Sequence, residues 1–253
     1  MTAARNVVVL LAALATSSVE GVGCRRAADG DRRTGPNASA PPASTPLAPA
    51  ADPPGTYMGR ALAKPMSYWG ADWLDREDRE TTEQPEHVLD VLALREGSTV
   101  ADVGAGSGYF TVRMAKRVGP RGRVLATDLQ PEMLTLLRVK VATAKLGNVV
   151  PVLATESDSK LPRGELDLVL MVDVYHELQR PQLMLRRLKD ALSPRGRLVL
   201  VEFRKEDPSV PIRPEHKMSV AEAKLELEAE GYRLQRVIDT LPWQHLMEFV
   251  AAR

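Results

Sequence analysis

From residue 85 onward, short apolar runs alternate with segments whose apolar residues recur every three or four positions. The first pattern predicts buried strands and the second amphipathic helices. His87–Leu94 (HVLDVLAL) has helical spacing, and STVADV, ending at Val103, reads as a strand of β-formers. YFTVRMAKRV from Tyr109 is a helix stopped by Gly119 and Pro120, and RVLATD is a second strand ending at Asp128. Pro131 suits a first helical position and opens PEMLTLLRVKVATAKLG, which Gly147 closes. NVVPVLA is a third strand, and LDLVLMVDV a fourth that is apolar on both faces. PQLMLRRLKDAL is a helix ended by SPRG, and RLVLVEF a fifth strand. SVAEAKLELEAEG is a helix capped by Ser219, and YRLQRVID and HLMEFVA are two closing strands. Continuous apolar strands alternating with helices imply a sheet covered on both faces. Ligands of such sheets bind at the carboxyl ends of the strands, where strand order reverses.

The first 84 residues follow other rules. Arg5, an apolar run from Val7 to Ala15, small residues and then GVGC have the three parts of a secretory signal in residues 1–24. Cys24 is the only cysteine, so an intramolecular disulfide is excluded, and it stands where a bacterial lipoprotein carries its lipid. The expectation is a membrane-anchored protein of the cell envelope, with a cytoplasmic location as the alternative. Residues 25–56 are rich in Pro and Ala and poor in large apolar side chains, which predicts a disordered tether. Residues 57–84 hold Trp69 and Trp73 and predict a helical arm or lid over the domain that occupies 85–253, with both rings buried. The 253 residues carry a formal net charge of +1 and only 4% aromatics, which argues against a nucleic-acid partner.

VADVGAGSGYF spans Val100 to Phe110 and joins the first strand to its helix through Gly104, Gly106 and Gly108. A dinucleotide fold requires a glycine where this chain has Tyr109, because helix and strand pack closely there. Asp102 just before the turn would repel a pyrophosphate and favour a cationic ligand. Asp128 ends the second strand, where a carboxylate can accept both hydroxyls of a ribose. These residues point to a nucleoside without a phosphate and away from a nicotinamide oxidoreductase.

VADVGAGSGYFTVRMA, VLATDLQPEML, LDLVLMVDVYHEL and LSPRGRLVLVEF, taken in order, resemble the motifs of the class I S-adenosylmethionine-dependent methyltransferases. The resemblance runs from Leu92 to the end of the chain. It implies an α/β, doubly wound, Rossmann-like sheet of seven mostly parallel strands with an antiparallel last strand and helices on both faces. It implies S-adenosylmethionine as cofactor and methyl transfer to a small-molecule acceptor; a non-catalytic binding module on the same fold is the alternative. By position, Asp102, Gly104, Ala105, Gly106 and Gly108 match the cofactor turn. Asp128 matches the ribose acid, Leu129 the residue against the adenine, and Asp173 the end of the strand where the chemistry occurs. The adenine contact falls on Ser157 or Asp158.

Methyl transfer displaces a neutral thioether, so positioning supplies much of the rate, and a base is needed only for a protonated acceptor. Tyr175 and His176 after the fourth strand are the candidates for acceptor contact. Glu177 reads as a first-turn helix acid, Glu202 as facing either substrate or a buried arginine, and Trp243 and His245 as packing. His87 and His216 read as solvated. The spacing of the four histidines and one cysteine predicts no metal site.

Overall fold

The computed structural model describes residues 52–252. The expected signal, the lipidated Cys24 and most of the tether lie outside the described residues. The tether's last residues are ordered: the Asp52 carboxylate accepts from the Met58 N–H, and Pro53 turns the chain into a strand at Thr56.

The arm is less helical than expected, and its tryptophans are not what holds it. It opens as a small antiparallel hairpin, β1 (Thr56–Tyr57) and β2 (Arg60–Ala61). A 3₁₀ turn (Tyr68–Gly70) capped by Ser67 follows, and then two single-turn helices, α1 (Ala71–Leu74) and α2 (Arg79–Thr82). Trp69 is 81% exposed and Trp73 41%, so the arm is not held by burying its indoles. Polar contacts hold it instead. Arg60, itself buried, donates to both oxygens of Glu226, at 2.7 and 2.9 Å. Gln130 donates to the Met66 carbonyl and accepts from the Tyr68 N–H, both at 2.8 Å.

The remaining elements are α3 (Pro85–Leu92), β3 (Thr99–Val103), α4 (Tyr109–Val118), β4 (Arg123–Asp128), α5 (Pro131–Thr143), β5 (Val149–Leu153), β6 (Leu166–Val172), α6 (Pro181–Ala191), β7 (Leu192–Phe203), α7 (Val220–Ala229), β8 (Tyr232–Ile238) and β9 (Gln244–Ala251). Seven strands form one sheet in the order β5-β4-β3-β6-β7-β9-β8. β3 through β7 pair in parallel, and β9 runs antiparallel to both neighbours. This is the expected Rossmann-like architecture. The last strand lies not at the edge but between β7 and β8.

β6 shows why its residues read as an unbroken apolar run. Leu168 and Leu170 pack on one face with α3 and α4 through Leu89, Phe110 and Met114. Val169 and Met171 pack on the other face with α6 and α7 through Leu185, Leu188 and Leu227. A strand buried on both sides has no polar face to present. α7 starts with a capping box, Ser219 and Glu222 each satisfying the other's backbone N–H. Strand order reverses between β3 and β6, so a crevice opens at the carboxyl ends of these two strands. Among the described residues no helix is long and apolar enough to cross a membrane.

Candidate active site

A cavity of about 710 Å³ occupies that crevice. The ends of β3, β4, β6 and β7 form its floor through Gly104, Asp128, Asp173 and Phe203. The arm forms part of its roof through Met66, Trp73 and Leu74.

The glycine turn is shaped by its neighbours as much as by the cavity. Gly104 has φ +72°, and a Cβ there would meet the side chain of Val174 at 2.5 Å. Gly106 has φ +54°, and a Cβ there would meet Leu74 of the arm at 2.6 Å. A side chain at Gly106 would therefore displace Leu74 of the arm before it reached any ligand. Ala105 and Gly108 complete the turn beneath and do not line the cavity.

Asp102 does not line it either. Its buried carboxylate turns into α4 and accepts from Thr111 Oγ1 at 2.5 Å. Burial pushes its pKa up to about 6, against the Thr111 hydrogen bond and with a smaller push from Asp128. The expectation that Asp102 faces a cationic ligand is therefore corrected. Asp128 faces the cavity as expected. Its Oδ2 accepts from the Gly106 N–H and its Oδ1 from the Gln130 N–H, each at 2.9 Å. Burial raises its pKa, and these backbone donors oppose the rise. Each oxygen keeps a second lone pair. Leu129 lies beside it on the cavity wall, with Met133 behind.

Ser157 and Asp158 do not line the cavity; Ala154 and Glu156 do. Both Asp158 oxygens are taken by Lys160, one by its N–H and one by its ammonium, at 2.9 Å each. Asp173 is on the wall, in the left-handed region with φ +54°, and its two oxygens accept from Gln244 Nε2 at 2.9 and 2.8 Å. Burial lifts its pKa well above the ordinary carboxylate range, and Glu83 and Glu202 add to the rise. A non-glycine residue at such φ is strained, and the surrounding bonds hold it there.

Tyr175 is not an acceptor contact. It is fully buried, away from the cavity, and donates to Glu226 Oε2 at 2.8 Å under the Arg60 guanidinium. His176 does line the cavity, 2% exposed. Its Nδ1 bonds Glu202 Oε2 at 2.6 Å, while Glu202 Oε1 accepts from the Tyr175 N–H at 2.8 Å. Glu202 thus faces neither substrate nor arginine. Burial opposes the charged form of His176, yet Glu202 and Glu177 leave its pKa raised.

Three further residues came to the site unannounced. Glu177 is not in a long helix; it ends the 3₁₀ turn Tyr175–Glu177 and faces the cavity, where burial pushes its pKa up to about 7. His216, read as solvated, lies on the opposite lip with Nδ1 3.1 Å from His176 Nε2. Burial and His176 lower its pKa. His176, Glu177 and His216 offer ligand atoms within 4.8 Å of one another, contrary to the expectation of no metal-binding group. Gln244 is the third, and its place beside His245 on the last strand gave no sign of a reach to Asp173. His245 is buried in packing, as read.

Residues 101–198 match the family model described as a methyltransferase domain. The ubiquinone/menaquinone biosynthesis C-methyltransferase UbiE of Pasteurella multocida is 31% identical over 119 residues, 47% of this chain and 44% of that protein. The chain spans less than half the length of the curated relatives it matches. The crystal structure of a SAM-dependent methyltransferase from Aquifex aeolicus matches with TM-score 0.69 and 32% identity, over 73% of this chain and 98% of that one. An S-adenosylmethionine-dependent methyltransferase from Mesorhizobium loti, 18% identical with TM-score 0.53 over 65% of this chain and 97% of that one, shares the fold.

Proposed function

The chain belongs to the S-adenosylmethionine-dependent methyltransferases, and from that premise we propose that it methylates a small, largely apolar acceptor held between the arm and the carboxyl ends of β6 and β7. The carrying observation is the continuity of the cavity. It runs without a partition from Gly104, Gly106 and Asp128 to His176, His216 and Ile212. Donor and acceptor would lie in one enclosure, as in-line displacement requires. The volume is that of a site for a drug-sized ligand.

The residues fit the cofactor. The free lone pairs of Asp128 would accept from the two ribose hydroxyls, and Leu129 and Met133 offer an apolar wall to an adenine. Asp128 and Asp173, rather than Asp102, would face its cationic groups. The cofactor supplies a methyl group made electrophilic by its sulfonium, so this chain's residues bind, orient and exclude water. Met66, Met184, Phe203 and Ile212 give the acceptor an apolar bed. His176, Glu177 and His216 would meet its reacting end. The UbiE relatives are C-methyltransferases by name; a carbon acceptor is the reading that name carries over, and an oxygen nucleophile is the second reading, favoured by the polar end of this cavity.

Calorimetric titration of the full chain tests this reading. S-adenosylmethionine or its demethylated product should bind, and NADH should not. Asp128→Asn should weaken cofactor binding at least about tenfold, since a hydrogen bond to a charged group contributes about 1.5–3 kcal/mol and about 1.4 kcal/mol is tenfold. Tighter binding of NADH would overturn it.

We also propose that Cys24 carries a lipid and tethers the enzyme to a membrane. The support is the lone cysteine after an apolar stretch, followed by a Pro/Ala-rich segment. The full chain should sediment with membranes and Cys24→Ala should not.

A further inference from the structure

His176 and His216 are 40 residues apart in sequence and meet on the cavity wall, with Glu177 beside them. His176 Nε2 lies 3.1 Å from His216 Nδ1. Glu177 Oε1 lies 3.8 Å from the first of these atoms and 3.6 Å from the second. Bonds of about 2.0–2.2 Å from zinc to imidazole nitrogen and carboxylate oxygen set neighbouring ligand atoms about 2.9 to 3.4 Å apart, depending on the angle between them. The observed triangle matches that range on one side and needs roughly half an ångström of closure on the other two. The Glu177 carboxylate is free to supply it, because its only hydrogen bond among the described residues is a long one, 3.4 Å, from the Met66 N–H to its Oε2.

A second feature is independent of the triangle. Glu202, fully buried, takes the Nδ1 proton of His176 at 2.6 Å. That bond fixes the tautomer, so the lone pair of neutral His176 lies on Nε2 and points at the other two groups. A carboxylate behind a histidine is the arrangement that orients metal ligands and raises their basicity. A simple histidine–histidine hydrogen bond would account for the 3.1 Å distance. It would not account for a half-buried carboxylate facing both ring nitrogens with so little to bind.

We propose that His176 Nε2, His216 Nδ1 and Glu177 Oε1 bind one first-row divalent cation, zinc or a neighbour of it, with an open position toward the acceptor. Two imidazoles and one carboxylate suit these cations and not magnesium or calcium, which take oxygen ligands. Metal binding stands on this geometry alone; its use in catalysis rests on the methyl-transfer reading. In that reading the open position takes a hydroxyl oxygen of the acceptor and lowers its pKa. The hydroxyl loses its proton to solvent, an oxygen lone pair forms the bond to the methyl carbon, and the carbon–sulfur pair stays on the departing thioether. The acceptor class is therefore a small apolar molecule bearing a hydroxyl.

The full chain, stripped with a chelator, is titrated with cobalt(II) and zinc, and with S-adenosylmethionine in parallel. One equivalent of cobalt should give the d–d absorption of a nitrogen/oxygen site without a thiolate charge-transfer band, which would instead mark Cys24. His216→Ala and Glu177→Gln should each weaken cobalt binding roughly a hundredfold or more, and Glu202→Gln about 10–100-fold. His87→Ala, at the surface beside Thr240, should leave it unchanged. Zinc should raise the melting temperature of the wild type and not of Glu177→Gln, whose metal-free melting should match the wild type. A chain that binds cofactor but no cobalt, or binds cobalt equally well after His216→Ala, overturns the metal site and leaves methyl transfer standing. A chain that binds cobalt but no cofactor does the reverse.

Discussion

Asp102 shows how far a single residue can be read from its letter. Its place before a glycine turn suggested a carboxylate aimed at a cation, yet the side chain lies under the turn against Thr111. The sign of its effect on stability follows from burial. The folded pKa, about 6, stands above the unfolded value of about 3.9. The folded state therefore binds the extra proton, and this contribution is fully present below about pH 4 and lost as the pH rises through about 6. At pH 8 the buried charge should destabilise the domain by up to about 3 kcal/mol. Asp102→Asn keeps the oxygen that Thr111 bonds. It should raise the denaturation midpoint at pH 8, and the gap from wild type should close below pH 4; a variant less stable at pH 8 would show that the charge is wanted. Asp128 was legible for a different reason, since a strand end at the switch point leaves its carboxylate little choice of direction. Asp158 was not, because the loop's own hydrogen bonds to Lys160 decide where its carboxylate points.

The arm is the element whose composition misled. Large aromatic rings argued for burial, and what holds the segment is charge. Glu83, 0% exposed, is paired with Arg79 at 2.7 Å and also with Arg76. Arg79 in turn donates to the Leu74 carbonyl at 2.7 Å and lies over the Tyr109 ring of α4. Breaking a buried pair from one side is expensive because the remaining charge loses compensation, and without Arg79 the buried Glu83 would keep Arg76 alone. Arg79→Ala should cost about 3 kcal/mol in urea denaturation. Amide exchange should show residues 71–84 losing protection before the sheet does; uniform loss across the domain would mean the arm is not a separate unit. Ion pairs spaced four residues apart were visible in DREDRETTE. Their burial was not, because it depends on which face of α4 lies opposite.

At the scale of the whole molecule, the strand and helix periods carried the architecture well. The central strands β3, β4 and β6 coincided with apolar runs, because burial on both faces demands one, whereas β8 at the edge is half polar and β7 starts at Leu192, several residues earlier than its apolar run and ahead of SPRG. The order of the last two strands was not legible, since antiparallel insertion leaves no local mark. That insertion matters to the site. β9 runs against its neighbours, so its first residue, Gln244, sits at the end of the sheet where β6 terminates, and its amide meets both oxygens of Asp173. Gln244→Ala should cost about 1–3 kcal/mol by leaving a buried acceptor unsatisfied. Gln244→Glu, which sets two carboxylates together, should cost more at neutral pH. Equal urea midpoints for the two variants would remove Gln244 from this role. The pairing of His176, Glu177 and His216 escaped notice for a similar reason: a metal-binding pattern is sought along the chain, and here the loop after β7 folds His216 back across the cavity.

Gly104 and Val174 fit as a tooth and its notch, one turn filling the space that the other leaves. Seen across generations, neither can drift alone. A side chain at 104 collides with Val174 and meets a backbone that only glycine adopts freely; a smaller residue at 174 widens the cavity and leaves the turn unsupported on that side. Either change alone disturbs the fit that the other residue completes, so two letters make one joint. Descendants of this chain should inherit the two as a single trait.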